Sequence, residues 1–269
     1  RSNGVAVTLG TGGAAVEASL RPYLHQRRTK QPYVVLKVAS ATDGSIACAD
    51  GTSQWITGPA ARADVQRLRA ASCAVLTGSG TVLTDDCALS VRVGELGLEA
   101  PAAQLAAARQ PLRVVLDSTL RTPAAARVLA GAAPTLLCHR RDVAIPADLA
   151  ASGAQFHALE QGDHGLRLAP LFDELTRRQC NEILVESGPR LAGAMLQAGL
   201  LDELIIYMAP ALLGDRARPL LSLPLDAMAQ KVPLTLRDVR QVGNDLRISA
   251  VPAADAQAGA ETGDVCLQE

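Results

Sequence analysis

Residues 183–194 form the stretch of this sequence whose residue types most directly suggest chemistry. The apolar residues 183–185 predict a strand that is buried on both faces, and Pro189, after a turn of small residues, predicts the first position of a helix. The free backbone N–H groups and the positive end of that helix dipole would attract a phosphate. Glu186, the last residue of the strand, would place a carboxylate beside it. An ordinary strand-to-helix turn has the same pattern, so the stretch alone leaves both interpretations open.

Other predicted strands also end in polar groups. These groups are Lys37 with Ala39, Thr77 to Thr81, and Asp117 with Ser118. The carboxyl ends of parallel strands meet at one edge of a sheet, where ligands bind, so we expect these groups and Glu186 to surround a shared cleft. Lys37 alternates with apolar neighbours and could enter this cleft to polarise a substrate. A lysine on a half-exposed strand is the alternative.

The elements that must position these groups follow from the hydrophobic pattern of the chain. Strands are predicted at residues 33–39, 46–48, 73–77, 112–117, 135–138, 183–185 and 203–208, with a hairpin over 234–251 that bends at 243–245. Helices are predicted at about 14–27, after Pro59, at 168–179 and from Pro189 to Gly199. This order predicts an α/β fold with a mostly parallel central sheet, flanked by helices and ending in a C-terminal antiparallel hairpin.

Some segments give weaker patterns. Residues 4–9 resemble a short strand, residues 94–110 a surface insertion, and residues 139–166 an irregular connection around a weak strand near 155–157. Residues 10–15 imitate a dinucleotide fingerprint, but no acidic residue closes the next strand to hold the ribose. We therefore interpret this last segment as a loop rather than as a cofactor site.

Composition argues against several classes of function. The 269 residues have a net charge of −1 and 48% apolar residues, so nothing predicts binding to nucleic acid or a disordered acidic chain. No apolar run is long enough to span a membrane. The six cysteines include no C-x-x-C pair and are typical of small buried residues in a reduced cytoplasm. We therefore predict a cytoplasmic protein without a metal site.

Several sequence blocks together resemble one enzyme family. The blocks are residues 36–39, 51–57, 78–92, 115–118 and 185–191, which include Ser-Gln-Trp-Ile-Thr at 53–57 and Gly-Thr-Val-Leu-x-Asp-Asp at 80–86. In this order they resemble the reductase domain of the bifunctional riboflavin-biosynthesis deaminase/reductase, over residues 14–250. The resemblance implies a dihydrofolate-reductase-like fold and the NADPH-dependent reduction of 5-amino-6-(5-phosphoribosylamino)uracil to its ribitylamino counterpart.

The resemblance also implies a division into domains. Residues 31–251 would form the reductase domain, residues 1–30 would be the last strand and linker helix of a missing deaminase domain, and residues 252–269 would be a disordered tail. The deaminase motifs H-x-E and P-C-x-x-C are absent from the sequence, so we expect no deaminase activity in this chain. Arg1 is not a natural start, and we expect the chain to begin partway through a longer one.

Residue roles follow from the same resemblance, one position at a time. The residues implied for NADPH are Ala39, Trp55, Thr81, Asp85, Ser118, Gly188, Pro189, Arg190, Leu191, Ala192, Gly193 and Ala194. The residues implied for the phosphorylated pyrimidine substrate are Ser53, Arg69, Leu89, Arg92 and Glu186. Cys87 replaces a proline that is usual in the family, and Ser187 replaces a glycine or alanine, but neither change removes a hydrogen-bond donor.

In the implied reaction the sugar opens to an imine, which then accepts a hydride at C1′. We take Lys37 and Glu186 as the candidate catalytic residues. Arg69 and Arg92 would bind the 5-phosphate, because a guanidinium matches phosphate oxygens in pairs; solvated surface arginines are the alternative. Asp85 would hold the nicotinamide ribose or carboxamide, or else would cap a turn. No residue stands out as the general acid.

Three further expectations concern specificity, the cleft wall and assembly. Arg121 follows the Asp117 strand end closely and would contact the 2′-phosphate, which would explain a preference for NADPH over NADH. Trp55 lies in a polar loop that favours the cleft, although a single tryptophan is more often in a core. We expect a homodimer or higher oligomer, with the apolar strand at residues 204–208 as the candidate interface. A pterin or other imine reductase on the same fold and a non-catalytic NADP-binding module are the alternative functions.

Overall fold

The computed structural model of the protein describes residues 8–162 and 165–253. Its strands are β1 (Tyr33–Ala41), β2 (Ser45–Ala47), β3 (Ala74–Gly78), β4 (Leu112–Leu116), β5 (Thr135–Arg140), β6 (Gln155–Leu159), β7 (Gln161–Gly162), β8 (Gly165–Leu166), β9 (Glu182–Val185), β10 (Glu203–Ala209), β11 (Arg218–Pro219), β12 (Leu234–Val242) and β13 (Asp245–Pro252). They form a nine-stranded sheet in the order β12-β13-β10-β1-β9-β3-β4-β5-β6, beside the small pairs β11-β2 and β7-β8.

The helices lie on both faces of this sheet. They are α1 (Gly13–Ser19), α2 (Arg21–Thr29), α3 (Pro59–Ala71), α4 (Ser79–Asp85), α5 (Ala100–Ala108), α6 (Ala147–Ala150), α7 (Ala169–Arg177) and α8 (Pro189–Gln197). Single 3₁₀ turns occur at Val93–Glu95, Arg127–Leu129 and Met228–Gln230. Helices α7 and α8 pack against one face, and α3, α4 and α6 against the other.

The sheet is parallel from β10 to β6 and antiparallel only where β10, β13 and β12 pair at the C-terminal edge. The predicted α/β fold, with its mostly parallel central sheet, flanking helices and C-terminal hairpin, is therefore confirmed. Strand β9 returns late in the chain to lie between β1 and β3. Neighbouring connections diverge at such a point, and the crevice at the carboxyl ends of the strands is where ligands bind in sheets of this kind.

Strand β1 shows how the sheet directs its side chains. Val34 and Leu36 belong to the core under α7 and α8, whereas Tyr33 and Val35 belong to the core under α3. Successive residues of a strand point to opposite faces, so Lys37 points to the same side as Val35. The lysine is therefore directed into the space between the sheet and α3.

Buried polar contacts fix helix α3 over the sheet. The Tyr207 hydroxyl donates a hydrogen bond to the Asp64 carboxylate at 2.5 Å, and Arg247 lies 3.3 Å from the same carboxylate. Asp64 belongs to α3, Tyr207 to β10 and Arg247 to β13. A buried carboxylate is stable only when it is paired and hydrogen-bonded, so these contacts set the rotation of α3 above the sheet.

The N-terminal helical region differs from its prediction. The helix predicted over 14–27 is divided into α1 and α2, which meet at Leu20. Pro22, in the first turn of α2, lacks the N–H group that a continuous helix requires. The predicted strand at residues 4–9 lies mostly outside the described residues, and residues 8–10 are irregular.

Helix α2 packs at the amino ends of β1 and β10, on the side opposite the carboxyl edge. Arg21 lies 3.4 Å from Glu203, and the His25 ring meets the Tyr33 ring edge-on at 5.3 Å. The origin of residues 1–30 as part of a deaminase domain stays a prediction. Residues 254–269, the bulk of the predicted tail, also lie outside the described residues.

Two predicted irregular segments contain regular structure, and one predicted surface is buried. The insertion at residues 94–110 contains α5, which packs beside α3. The weak strand near 155–157 is β6, the edge strand of the main sheet. The expectation that residues 204–208 form an interface is wrong, because β10 lies between β1 and β13 inside the sheet.

Gly193 has a packing position in α8 that no other residue type can fill without movement. A Cβ atom at this position would overlap the backbone carbonyl of Ser222. The Ser222 N–H also donates to the Pro189 carbonyl at 2.9 Å, so the loop that contains Ser222 runs directly along the helix.

We expect Gly193→Ala to lower the free energy of unfolding by about 1–3 kcal/mol, because the loop must move away from the new methyl group. Urea denaturation would measure the change. Gly94→Ala is the control, since a Cβ at Gly94 meets nothing within 4 Å. Equal stability of both variants would contradict the close approach at Gly193.

Candidate active site

A cleft of about 760 Å³ opens at the carboxyl edge of the sheet. The ends of β1, β3, β4 and β9 form its floor, and its walls come from the loop at residues 51–57, helix α3, helix α4 and the first turn of α8. Because β9 is inserted between β1 and β3, segments that are far apart in the chain meet here.

Most of the residues predicted from the sequence line this cleft. They are Lys37, Ala39, Ser53, Trp55, Arg69, Thr81, Asp85, Leu89, Arg92, Ser118, Arg121, Glu186, Gly188, Pro189, Arg190 and Leu191. Ala192, Gly193 and Ala194 do not line it: they follow the first turns of α8 and pack into the protein body. We therefore reassign these three residues from cofactor contact to packing. The individual roles of the lining residues stay predictions.

Three charged side chains meet on the floor of the cleft. The Arg69 guanidinium binds both oxygens of Glu186, with Nε–Oε1 at 2.5 Å and Nη2–Oε2 at 3.0 Å. The Lys37 ammonium lies 4.0 Å from Glu186 Oε2. Each of the three side chains is less than a fifth exposed. A paired guanidinium–carboxylate contact of this kind fixes orientation as well as charge.

The charges in this cluster shift each other's pKa values. Burial is the largest influence on Lys37 and lowers its pKa; the attraction of Glu186 opposes the shift, and repulsion from Arg69 adds to it. Burial alone would raise the pKa of Glu186, but the charge and hydrogen bonds of Arg69, together with the charge of Lys37, bring that pKa below 4.5. The cluster therefore keeps an ionised carboxylate beside an ammonium group that releases its proton more easily than an exposed lysine does.

The two arginines predicted for a phosphate have different surroundings. Arg69 uses Nε and Nη2 to bind Glu186, and its Nη1 donates to the Ser90 carbonyl at 3.3 Å. Arg92 pairs with Glu95 at 2.8 Å near the rim, and 45% of its side chain is exposed. Arg69 is therefore engaged by Glu186 and Ser90, whereas Arg92 is paired with Glu95 at the half-exposed rim; a phosphate-binding role for either arginine stays a prediction.

The first turn of α8 has the features of an anion site. Gly188 precedes the helix in an extended conformation, with φ −71° and ψ 173°, and Pro189 opens it. The buried Ser187 hydroxyl has no hydrogen-bond partner within the described part of the chain. Backbone N–H groups, the helix dipole and an unsatisfied hydroxyl together favour an anionic group, so the residues present fit the diphosphate of a dinucleotide.

The loop after β4 is held by a buried carboxylate. Asp117 accepts hydrogen bonds from the Arg121 N–H at 2.9 Å, from the Thr122 N–H at 2.7 Å and from the Thr122 hydroxyl at 2.6 Å. The loop therefore has a fixed shape that presents Ser118 and Arg121 to the cleft. The Arg121 guanidinium also donates to the Ser79 hydroxyl at 3.3 Å, which joins this loop to the start of α4.

Trp55 forms an outer wall of the cleft rather than part of a core. Its side chain is 69% exposed, and the Arg62 guanidinium lies over its ring at 4.6 Å from the centroid. Arg62 also donates to the Thr57 carbonyl at 2.8 Å, so the same side chain holds both ends of this short loop segment. The polar loop around Trp55 therefore favours the cleft, as the sequence indicates.

Burial shifts the pKa values of two further residues of the cleft. Burial raises the pKa of Asp85, which lies at the end of α4, whereas the adjacent Asp86 accepts the Arg127 N–H at 2.8 Å. Burial also raises the pKa of Cys87 to about 12, so its thiol stays protonated near neutral pH and is a poor nucleophile. The replacement of a proline by Cys87 thus adds a small, unreactive group to the lining.

Sequence reasoning assigned no role at the site to several arginines that line the cleft. These residues are Arg62, Arg127 and Arg218. Arg62 is one of several arginines on α3, and only the fold shows which of them faces Trp55. Arg127 and Arg218 come from a short turn and a two-residue strand, where no periodic pattern marks them. In the fold, Arg218 lies against Gly51, where a Cβ atom would be 2.8 Å from its guanidinium, and no sequence signal marks this contact.

Two other features, a metal-binding cluster and a membrane-spanning helix, are absent from the described residues. Within residues 8–162 and 165–253, no group of three or more His, Cys, Asp or Glu side chains is arranged to hold a metal ion. In the same ranges, no helix has the length and apolar character needed to cross a bilayer.

Comparison with known proteins gives one family. The model of the RibD C-terminal domain matches residues 32–248. The chain is 40% identical over 257 residues to the riboflavin biosynthesis protein RibD of Escherichia coli, covering 93% of this chain and 68% of that protein. It is 36% identical over 253 residues to the protein of the same name from Chlamydia pneumoniae, covering 64% of it. The chain thus spans about two thirds of the length of these relatives.

Solved structures give the same result. Acinetobacter baumannii RibD, at 38% identity, superimposes with a TM-score of 0.77 over 88% of this chain and 62% of that one. A deaminase/5-amino-6-(5-phosphoribosylamino)uracil reductase from Thermotoga maritima, at 23% identity, superimposes with a TM-score of 0.75 and shows the shared fold.

The lowered pKa of Glu186 makes a pH-dependent contribution to stability. The unfolded chain binds more protons at this residue near pH 4.5, so the contribution is complete above that pH and is lost as the pH falls through the folded-state pKa. We expect Glu186→Gln to lower the free energy of unfolding at neutral pH by about 2 kcal/mol, since it leaves two buried cations without their counter-ion.

Urea denaturation of both proteins across the acidic range would test this expectation. The difference between wild type and Glu186→Gln should shrink as the pH falls below 4.5. A difference that stays constant with pH would show that Glu186 is not ionised in the folded protein.

Proposed function

The chain belongs to the RibD C-terminal domain family, and from this premise we propose that it reduces 5-amino-6-(5-phosphoribosylamino)uracil to 5-amino-6-(5-phosphoribitylamino)uracil with NADPH in riboflavin biosynthesis. The observation that supports this most strongly is the convergence of separate chain segments in one cleft. The cleft combines a helix N-terminus suited to a diphosphate, an exposed arginine suited to a second phosphate, and a buried lysine–glutamate–arginine cluster between them.

The charged cluster suits the opening of the sugar. An aminoriboside opens when the nitrogen lone pair forms a double bond to C1′ while the bond from C1′ to the ring oxygen breaks and that oxygen takes up a proton. The product is an iminium ion, and loss of its N–H proton gives the neutral imine. Lys37 would donate the proton that the ring oxygen takes up: its ammonium lies on the cleft floor beside Glu186, and burial lowers its pKa, which makes proton release easier. Glu186 would accept hydrogen bonds from sugar hydroxyls or from the uracil N–H groups. NADPH supplies the hydride when it is bound.

Substrate position would depend on residues around this cluster. Arg92, Ser53 and Leu89 line the same cleft as Arg69. Arg92 would bind the 5-phosphate, and Leu89, which is buried, would contact the apolar face of the pyrimidine. Because the reacting atoms must meet within a short distance, fixed contacts at both ends of the substrate lower the barrier.

We also propose the following assembly and location. The protein would act in the cytoplasm without nucleic acid, as a homodimer or higher oligomer. Strand β12, at the edge of the sheet, exposes Leu234, Leu236 and Val239. Exposed apolar residues on an unpaired edge strand favour contact with another surface, so β12 replaces β10 as the candidate interface.

The substrate can be tested directly. We expect the protein to oxidise NADPH when 5-amino-6-(5-phosphoribosylamino)uracil is supplied and to leave dihydrofolate unreduced, because Arg92 and the Lys37–Glu186 cluster suit a sugar phosphate. Absorbance at the NADPH band would measure turnover. Reduction of dihydrofolate instead would favour a pterin reductase, and stoichiometric NADPH binding without turnover would favour a binding module.

Arg121 provides a test of cofactor preference. We expect Arg121→Ala to lower kcat/KM for NADPH by about tenfold to a hundredfold and to leave NADH nearly unchanged, because a hydrogen bond to a charged phosphate contributes about 1.5–3 kcal/mol. Steady-state kinetics with both cofactors would measure the ratio. Arg141→Ala, in an exposed loop, is the matched control. An unchanged NADPH/NADH ratio in Arg121→Ala would remove this role.

A further inference from the structure

The turn of the C-terminal hairpin touches the first turn of α3. Asp245, which is 2% exposed, accepts a hydrogen bond from the Gly58 N–H at 2.7 Å. Gly243, at φ 67°, lies so close that a Cβ atom there would be 2.8 Å from the Ala60 Cβ. The hairpin turn is therefore packed against the helix start by both a charged and a close steric contact.

This contact supplies a hydrogen-bond acceptor that the start of α3 lacks. Gly58 precedes the helix and has no side chain that could cap it, and Pro59 follows without an N–H group. The Asp245 carboxylate, which is 187 residues away in sequence, therefore accepts the N–H of the N-cap residue, the contact that a glutamate or glutamine at the third helical position makes in a capping box. A negative charge at this position also interacts favourably with the positive end of the helix dipole.

The same turn of α3 holds the Trp55 wall. The Arg62 N–H donates to the Gly58 carbonyl at 3.1 Å, as part of the first helical turn. The Arg62 side chain donates to the Thr57 carbonyl and lies over the Trp55 ring. A continuous set of contacts thus joins Asp245 to Gly58, then to Arg62, and then to the exposed tryptophan at the cleft.

From this set of contacts we propose that Asp245 is a positioning residue for the cleft, and that it keeps Trp55 in place for the nicotinamide nucleotide by fixing the first turn of α3. The inference rests on the proposed function in so far as that cleft binds the nucleotide. Asp245 does not line the cleft itself. It acts through Gly58 and Arg62, and so it influences binding rather than the chemical step.

The expected effect on NADPH affinity depends on the fraction of molecules in which the loop at residues 51–57 has the conformation that binds the nucleotide. Without the carboxylate, the partly buried Gly58 N–H loses its acceptor, and the Arg62 contacts that hold Thr57 and Trp55 start from a less firmly fixed first turn of α3. The apparent dissociation constant rises in proportion to the fraction of molecules that lose the competent form. The loss of affinity should reach about fivefold. This factor is equivalent to the roughly 1 kcal/mol that a capping acceptor contributes.

The single tryptophan of the chain makes this test direct. The variants are Asp245→Ala, which removes the acceptor, and Asp245→Asn, which keeps an acceptor oxygen but loses the charge. Arg237→Ala, on the exposed face of β12 in the same hairpin, is the matched control. Each folded protein is measured for Trp55 emission, for acrylamide quenching, for the dissociation constant of NADPH, and for KM and kcat.

We expect Asp245→Ala to increase quenching of Trp55 and to raise both the NADPH dissociation constant and KM by about fivefold, with kcat at saturation unchanged. Asp245→Asn should fall between this variant and wild type, and Arg237→Ala should match wild type. Circular dichroism and urea denaturation would show that each variant is folded.

The results separate this inference from the proposed function. If wild type turns over the substrate but Asp245→Ala has unchanged emission and an unchanged NADPH dissociation constant, the positioning role is wrong and the proposed function stands. If wild type shows no turnover, the proposed function fails, while fluorescence and binding still decide the role of Asp245. Loss of folding in both Asp245 variants would show a general structural role and would overturn the inference.

Discussion

The pairing of Glu186 with Arg69 is the constraint on which the rest of the site depends. A carboxylate in a cleft floor is stable only when cations and donors surround it, and its partners come from α3 and β1. The helix must therefore lie at one height and one rotation above the sheet. The buried contacts of Asp64, on the same helix, to Tyr207 and Arg247 support that placement. Electrostatic pairing and helix packing thus support the same geometry.

The order of the strands explains why the cleft contains such varied groups. The late insertion of β9 between β1 and β3 brings Glu186 between Lys37 and the start of α4. Each strand end contributes different chemical groups: an ammonium group, the first turn of α4, a loop held by Asp117, and a carboxylate before a helix N-terminus. In a fold of this kind the strands form the packed scaffold of the protein, and the loops that follow them bind the ligands.

The sheet class could be predicted from local hydrophobic patterns, and most of the lining residues from distinctive blocks that resemble the reductase family. Runs such as residues 112–117 and 183–185 mark buried strands, and distinctive blocks such as residues 53–57 mark the loops after them. What the sequence could not predict depends on distant contacts. The burial of β10 follows from strand order, the engagement of Arg69 by Glu186 follows from helix placement, and the close packing of Gly193 follows from a loop near residue 222. None of these three features produces a periodic pattern in the sequence.

The capping of α3 by the hairpin turn has a consequence for how the protein is made. The hairpin is synthesised long after the loop at residues 51–57, so a nascent chain on the ribosome holds the tryptophan wall without its distant support. Contacts of such long sequence separation form late, because the chain must first close a large loop. Full affinity for a nucleotide would then be reached late in folding, after the last two strands had joined the sheet.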